Sequence, residues 1–256
     1  MSIGPFSLAG RTALVTGASD GLGWVFSKAL AEAGARVVVA ARREDRLVEL
    51  VKEIEANGGQ ARAVAMDVSQ VDAVVHAFES LDAAGWRADV LVNNAGLGVQ
   101  RPWLETEEED WERLLQTNLL GADRVARAFC RRLVDSGQAG TVIHVASVLG
   151  LTSQPITAAY GASKAALIQL TKKMAVELAR HRITVNCIAP GMFRTGMVDA
   201  FSRSERGQAY LKMTLSRRVG EPEELIGTLL YLASPAAAYV NGVVIPVDGG
   251  NHLRGL

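Results

Sequence analysis

The chain has 256 residues, 49% of them hydrophobic, which is enough for a sizeable core within one domain. Lysine plus arginine equals aspartate plus glutamate, 27 against 27, and that balance argues against a nucleic-acid surface. The N-terminal stretch MSIGPFSLAGRTALVTG lacks a charged region leading into an apolar core and a cleavage site, and no apolar run approaches ~18 residues, so neither a leader nor a membrane span is expected.

Short β-branched apolar runs predict strands at 12–16, 36–40, 61–65, 90–93, 141–146, 184–189 and 243–247. Several are almost wholly apolar rather than alternating, as parallel strands covered on both faces should be. Longer helical patterns fill the gaps, at roughly 21–33, 44–57, 70–84, 106–136, 154–180 and 221–234. Gly34 and the pair Gly58-Gly59 follow the first two helices as C-terminal caps would. The alternation predicts a doubly wound α/β fold of Rossmann type, seven parallel strands with helices on both faces. A single domain over 1–256 is expected, with a substrate-loop insertion at about 191–216. Cys130 and Cys187 fall within predicted regular elements without a disulfide framework or metal motif, so both are read as buried reduced thiols of a cytoplasmic protein that holds no metal.

In such a fold ligands bind beyond the carboxyl ends of the strands, and every polar motif falls there. The first strand runs into Thr16-Gly17-Ala18-Ser19-Asp20-Gly21-Leu22-Gly23, which opens a helix. Glycines allow a tight turn and close backbone approach, and a helix N-terminus attracts a pyrophosphate. The spacing is G-x-x-x-G-x-G, in the strand–turn–helix context that a dinucleotide site requires. The second strand ends Ala41-Arg42-Arg43, without the acidic residue that would hold the ribose hydroxyls of NAD. A guanidinium fork suits a 2′-phosphate, so the reading favours NADP(H) over NAD(H). The alternative is that both arginines simply begin the second helix. Asp20 opposes the phosphate, one anion against two cations. Asp67-Val68 and Asn93-Asn94-Ala95-Gly96 end the next two strands, where short polar groups can hold an adenine or tie strand ends together.

Tyr160 and Lys164 lie one helical turn apart in Tyr-Gly-Ala-Ser-Lys, with Ser147 thirteen positions upstream of the tyrosine. Positions i and i+4 share a helix face, so phenol and ammonium can point into one site. A free tyrosine titrates near ~10, and bringing that to about 7 takes about 4 kcal/mol of differential stabilisation. A lysine together with a positively charged cofactor ring can supply it.

TGASDGLG, NNAG, the Ser147 region, YGASK and Pro190-Gly191 occur in one order with compatible spacing. Together, and over essentially the full length, they resemble the short-chain dehydrogenase/reductase family in its simple single-domain branch. The resemblance implies that Tyr160 is the acid/base, that Ser147 orients the substrate, and that Lys164 binds the nicotinamide ribose and lowers the tyrosine pKa. It implies that Asn118 supports a relay water beside the lysine. It places the cofactor turn at Gly17, Ser19, Gly21, Leu22 and Gly23, with Asp20 a departure from the common residues there. Arg42 matches the 2′-phosphate reader, with Arg43 as its helper. Asp67 and Val68 match the adenine contacts, and Asn94, followed by Ala95 and Gly96, the central strand end. Pro190, Gly191 and Thr195 match the segment that seats the nicotinamide. The resemblance further implies transfer of the 4-pro-S hydride between NADP(H) and a small carbonyl or alcohol substrate, and a homotetramer without nucleic-acid or membrane partners.

The substrate pocket is expected from Leu149, Gln154, Ile156, Met192, Phe193 and Met197, largely apolar with Gln154 as a polar reader, although any of these could equally be core. A β-ketoacyl thioester, a keto-sugar acid of the gluconate 5-dehydrogenase kind and a broad range of ketones all remain open as substrates. A non-catalytic NADP-binding regulator is the rival reading, disfavoured because Ser147, Tyr160, Lys164 and Asn118 are all retained.

Overall fold

The computed structural model describes residues 4–195, 198 and 202–253. Seven strands are found among them: β1 Thr12–Thr16, β2 Arg36–Ala41, β3 Gln60–Ala65, β4 Val90–Asn93, β5 Gly140–Val145, β6 Ile183–Pro190 and β7 Val244–Val247. They form one sheet in the order β3-β2-β1-β4-β5-β6-β7, and every adjacent pair is parallel. The order reverses between β1 and β4, which is where a doubly wound sheet opens a crevice for a ligand.

The helices are α1 Gly21–Glu32, α2 Glu44–Ala56, α3 Val71–Ala83, α4 Glu108–Leu115, α5 Ala122–Ser136, α6 Ala158–Leu178, α7 Glu205–Met213 and α8 Ile226–Ala233. Side chains along a strand alternate between faces, and here the alternation builds two cores. Val15, Val37, Val39, Val92 and Ile143 pack with Phe26 and Leu30 of α1, Leu47 and Leu50 of α2, and Leu229 of α8. Leu14, Val38, Leu91 and Val142 pack on the other face with Phe78 and Leu81 of α3 and Val125 and Phe129 of α5. All five β1 residues are buried. That explains why these strands read as continuous apolar runs.

Four local features differ from the expectation. The helix expected over 106–136 carries one π-helical turn, Gln116–Gly121, between α4 and α5. The helix expected from 154 starts at Ala158, because Ile156 sits at φ +64° and cannot continue a helix. The stretch 221–234 opens as a 3-10 turn, Pro222–Leu225, closed by a capping box between Glu221 and Glu224. Residues 205–213, expected to be a connection, form α7 with Ser204 as its N-cap.

Candidate active site

The ends of β1, β4, β5 and β6 are neighbours in the sheet, and they bring the sequence motifs together. At the end of β1 the Thr16 hydroxyl accepts the backbone N–H groups of Asn94 and Ala95, each at 3.0 Å, and donates to Asn93 Oδ1 at 3.3 Å. Asn94 Nδ2 returns a bond to Thr16 O at 3.0 Å, and Asn93 Nδ2 donates to Ala122 O at 2.7 Å. Thr16 and Asn93 therefore fix the strand ends on which the site stands. Tying strand ends together is one of the two uses expected of the polar group that Asn93 begins, and Thr16 is its partner across the sheet.

The turn after β1 is backbone packed on backbone. A methyl added at Gly17 (φ +67°) would lie 2.8 Å from Ala95 Cα, and one at Gly23 only 2.3 Å from Gly17 O. Gly21 opens α1 and faces Thr195, whose Cγ2 would lie 3.5 Å from such a methyl. The α1 N-terminus thus lies beside Thr195, and a helix N-terminus after a glycine turn is suited to a pyrophosphate. Leu22 packs on the core beneath. Asp20 is the N-cap, its Oδ1 accepting Gly21 N at 2.7 Å.

The two arginines behave differently. Arg43 donates to Ser19 Oγ at 3.1 Å through Nη2, and pairs with Asp20 Oδ2 at 3.4 Å. Arg42 is exposed. So Arg43, expected only as a helper, is the guanidinium that reaches the glycine turn. Asp67 accepts Ser69 N at 2.9 Å and Ser69 Oγ at 2.7 Å, capping its own turn, and Val68 is buried against Gly121.

Ser147 follows β5 and N-caps a short 3-10 turn, its Oγ accepting Leu149 N at 3.2 Å. Tyr160 and Lys164 lie on the first two turns of α6, with Lys164 Nζ 5.8 Å from the phenol ring centroid. That ammonium donates to Val145 O at 2.9 Å. Asn118 lies in the π-helical turn: its Nδ2 donates to Leu97 O at 2.9 Å and Ser163 Oγ at 3.0 Å, and its Oδ1 accepts Leu97 N at 2.8 Å. A methyl at Gly96 would lie 3.3 Å from both Asn118 Oδ1 and Lys164 Nζ. Glycine there lets the backbone pass close to both polar groups. Ser147, Lys164 and Asn118 are all buried.

Burial sets the charges. It lowers Lys164 from 10.5 to about 8. Burial also pushes the Tyr160 phenol up from 10, opposed by its hydrogen bond with Ser147. The depression expected for this tyrosine invokes the lysine together with a positively charged cofactor ring; in the protein alone Lys164 is engaged with the Val145 carbonyl, and burial dominates at the phenol.

At the end of β6, Gly191 N donates to Val247 O at 2.9 Å beyond Pro190, and a methyl at Gly191 would lie 2.6 Å from Asp248 Cβ. Among the expected pocket residues, Leu149 and Gln154 are half-buried in the chain between Ser147 and Tyr160, and Thr157 Oγ1 donates to Gln154 O at 2.9 Å. Ile156 and Met192 are half-buried. Phe193 is buried in the α1/α8 core with its ring stacked against Gly220, so packing claims it. Met197 lies outside the described residues.

Residues 11–206 match the family model for short chain dehydrogenases. The chain is 37% identical over 246 residues to a gluconate 5-dehydrogenase of Gluconobacter oxydans, covering 96% of each protein. It is 38% identical over 246 residues to a 3-oxoacyl-[acyl-carrier-protein] reductase of Synechocystis, covering 95% of this chain and 98% of that protein. The structure of a gluconate 5-dehydrogenase from Burkholderia cenocepacia in complex with NADP and tartrate superimposes with a TM-score of 0.94 at 36% identity, covering 98% of both chains.

Proposed function

The chain belongs to the short-chain dehydrogenase family, and from that premise we propose how it works: it is an NADP(H)-dependent oxidoreductase that interconverts a small-molecule carbonyl and its secondary alcohol. The convergence of Ser147, Tyr160 and Lys164 on the ends of β5 and α6, backed by Asn118, carries this reading.

When bound, the cofactor supplies the hydride for the carbonyl carbon. The side chains handle the oxygen and its proton. Ser147 and Tyr160 donate hydrogen bonds to the substrate carbonyl oxygen, which polarises it and orients the carbon. A phenol is protonated at neutral pH, so Tyr160 enters the reduction as the general acid. Its proton passes to the forming alkoxide, and Lys164, whose buried ammonium titrates at about 8, lies behind it to restore that proton. Asn118 holds the Gly96–Leu97 turn against the lysine by its paired bonds to Leu97. The cofactor-binding residues are those of the glycine turn, with Asp67, Val68, Asn94, Ala95, Gly96, Pro190, Gly191 and Thr195. Arg43 and Arg42 meet the 2′-phosphate, Arg43 first because it already reaches Ser19.

A keto-sugar acid is the preferred substrate class, supported by the relatives named gluconate 5-dehydrogenase and 5-keto-D-gluconate 5-reductase. A 3-oxoacyl thioester is the second reading, supported by reductases of that name at similar identity. NADPH consumption by the purified protein with 5-keto-gluconate and with an acetoacetyl thioester tests the choice. A large preference for the sugar acid is expected, and turnover of the thioester alone would reverse it.

The assembly is proposed to be a homotetramer without nucleic-acid or membrane partners. Its support is the exposure of apolar residues on the long helices, such as Val176 on α6, and of Leu120 in the π-helical turn. A cytoplasmic location is supported by the two free, buried cysteines.

A further inference from the structure

The chain that leads into Tyr160 is braced from outside the catalytic group. Ile156 stands at φ +64°, a left-handed conformation that a β-branched side chain rarely adopts. Such a residue persists where its surroundings over-determine it, and it clusters at ligand-binding segments. One constraint is the backbone N–H of Arg101, which donates to Ile156 O at 2.8 Å. Arg101 is itself pinned. Its guanidinium pairs with Glu107 at 2.6 Å and with Asp110 at 3.3 Å, and its Nη1 lies 3.4 Å from Glu105 O.

Asp110 is buried at 7% exposure on the inner face of α4, and its Oδ2 has no hydrogen-bond partner among the described residues. Arg101 compensates that carboxylate by charge at close range, without an aligned hydrogen bond. A buried carboxylate without a cation is costly, so the pair holds the 97–106 loop against α4. The loop in turn presents residue 101 to Ile156. Shared between two carboxylates, the guanidinium is neutralised and poorly placed to read a substrate anion itself.

We propose that Arg101 is a positioning residue for the substrate: its ion pairs with Asp110 and Glu107 fix the loop whose N–H holds Ile156 in its left-handed form, and this sets the pocket wall that precedes Tyr160. The inference rests on the carbonyl-reductase reading above. It makes the strain at Ile156 functional, so relieving the strain improves stability and harms substrate binding.

Full-length Ile156→Gly and the paired variant Arg101→Met/Asp110→Leu, which removes both charges of the pair together, test this against the wild type. Three quantities are read: melting temperature, amide exchange across 153–158, and steady-state kinetics with NADPH. Glycine accepts the positive φ freely, so Ile156→Gly is expected to melt no lower than wild type while exchange at 153–158 quickens roughly tenfold. KM is expected to rise about fivefold in both variants with kcat within about twofold. Exchange at 153–158 and KM equal to wild type in both variants, whatever the melting temperature does, would overturn the proposal. If the wild type reduces no carbonyl, the reductase reading is what fails, and the exchange rates alone still decide whether Arg101 braces the segment.

Discussion

The ammonium of Lys164 hydrogen-bonds the backbone carbonyl of Val145 at 2.9 Å, two residues before Ser147. One bond therefore ties the inward face of α6 to the end of β5 and keeps lysine, tyrosine and serine in register. It also buries the lysine, which lowers its pKa to about 8.

From that value follows a pH dependence. Lys164 is cationic below about pH 8 and loses its charge above it. Reductive kcat/KM is expected to fall as pH rises through about 8, roughly tenfold per pH unit once well past it. A profile measured from pH 6 to 10 at saturating NADPH checks this. A rate independent of pH up to 10 would remove Lys164 from the proton path.

Asp20 occupies two anion-seeking groups at once, the α1 N-terminus and Arg43. Asp20→Asn keeps an N-cap while freeing Arg43. Because the pair is exposed and screened, the effect is modest: NADPH affinity should tighten about threefold to tenfold and NADH affinity much less. Cofactor titrations monitored by fluorescence measure both. Equal changes for the two cofactors would show that Arg43 does not meet the 2′-phosphate. Arg43→Ala should weaken NADPH binding selectively.

Ser147 has two tasks, one toward the substrate and one as cap of the Val148–Gly150 turn through Leu149 N. Ser147→Ala should lower kcat by about 10²-fold with cofactor affinity nearly unchanged. Ser147→Thr, which restores the hydroxyl, should recover part of that rate. Stopped turnover assays and NADPH titration separate the two effects.

His144 lies under α6, fully buried. Thr171 Oγ1 donates its proton to Leu167 O, so the 2.9 Å contact with His144 Nδ1 is donated by the imidazole, which leaves Nε2 as a bare acceptor. Burial, and then the Lys164 charge, lower its pKa from 6.5 to about 3. A base with a lowered folded pKa contributes stability that is complete above its unfolded value, and loses it as pH falls from 6.5 toward 3. The loss is on the order of 3–5 kcal/mol by linkage. Urea unfolding at pH 7 and pH 4 should show His144→Gln losing less stability between the two than wild type does. An identical loss would assign the acid lability to other groups.

Much of this was legible in the sequence because it is written in backbone-level chemistry. Apolar β-branched runs marked all seven strands of the described residues to within a few residues, and Gly17 and Gly23 marked a turn where side chains do not fit, with Gly21 between them at φ +53°. That Tyr160 and Lys164 share a helix face was legible through i,i+4 spacing, and the roles expected of them came from the company of the other motifs. The π-helical turn at Gln116–Gly121 was not, since one extra residue per turn leaves the apolar pattern of a helix nearly intact. Helix α7 was hidden by a Ser, Arg and Gly content that favours loops. That Arg43, the N-cap of α2, is the arginine that reaches Ser19 was not legible, because adjacent arginines look alike in a sequence. Phe193 read as pocket because an apolar residue after a strand end can face ligand or core, and only the contact with Gly220 decides it. The rise of the Tyr160 phenol in the protein alone also needed the structure, because burial is not legible from spacing.

The most direct test of the central claim, that Tyr160 is the proton donor at a site built around a bound cofactor, is Tyr160→Phe measured for turnover and for NADPH binding in parallel. The phenyl ring keeps the packing and removes only the hydroxyl. Turnover should fall by at least about 10³-fold while the NADPH dissociation constant stays within about threefold of wild type. Retained turnover in a variant that still binds NADPH would contradict the account.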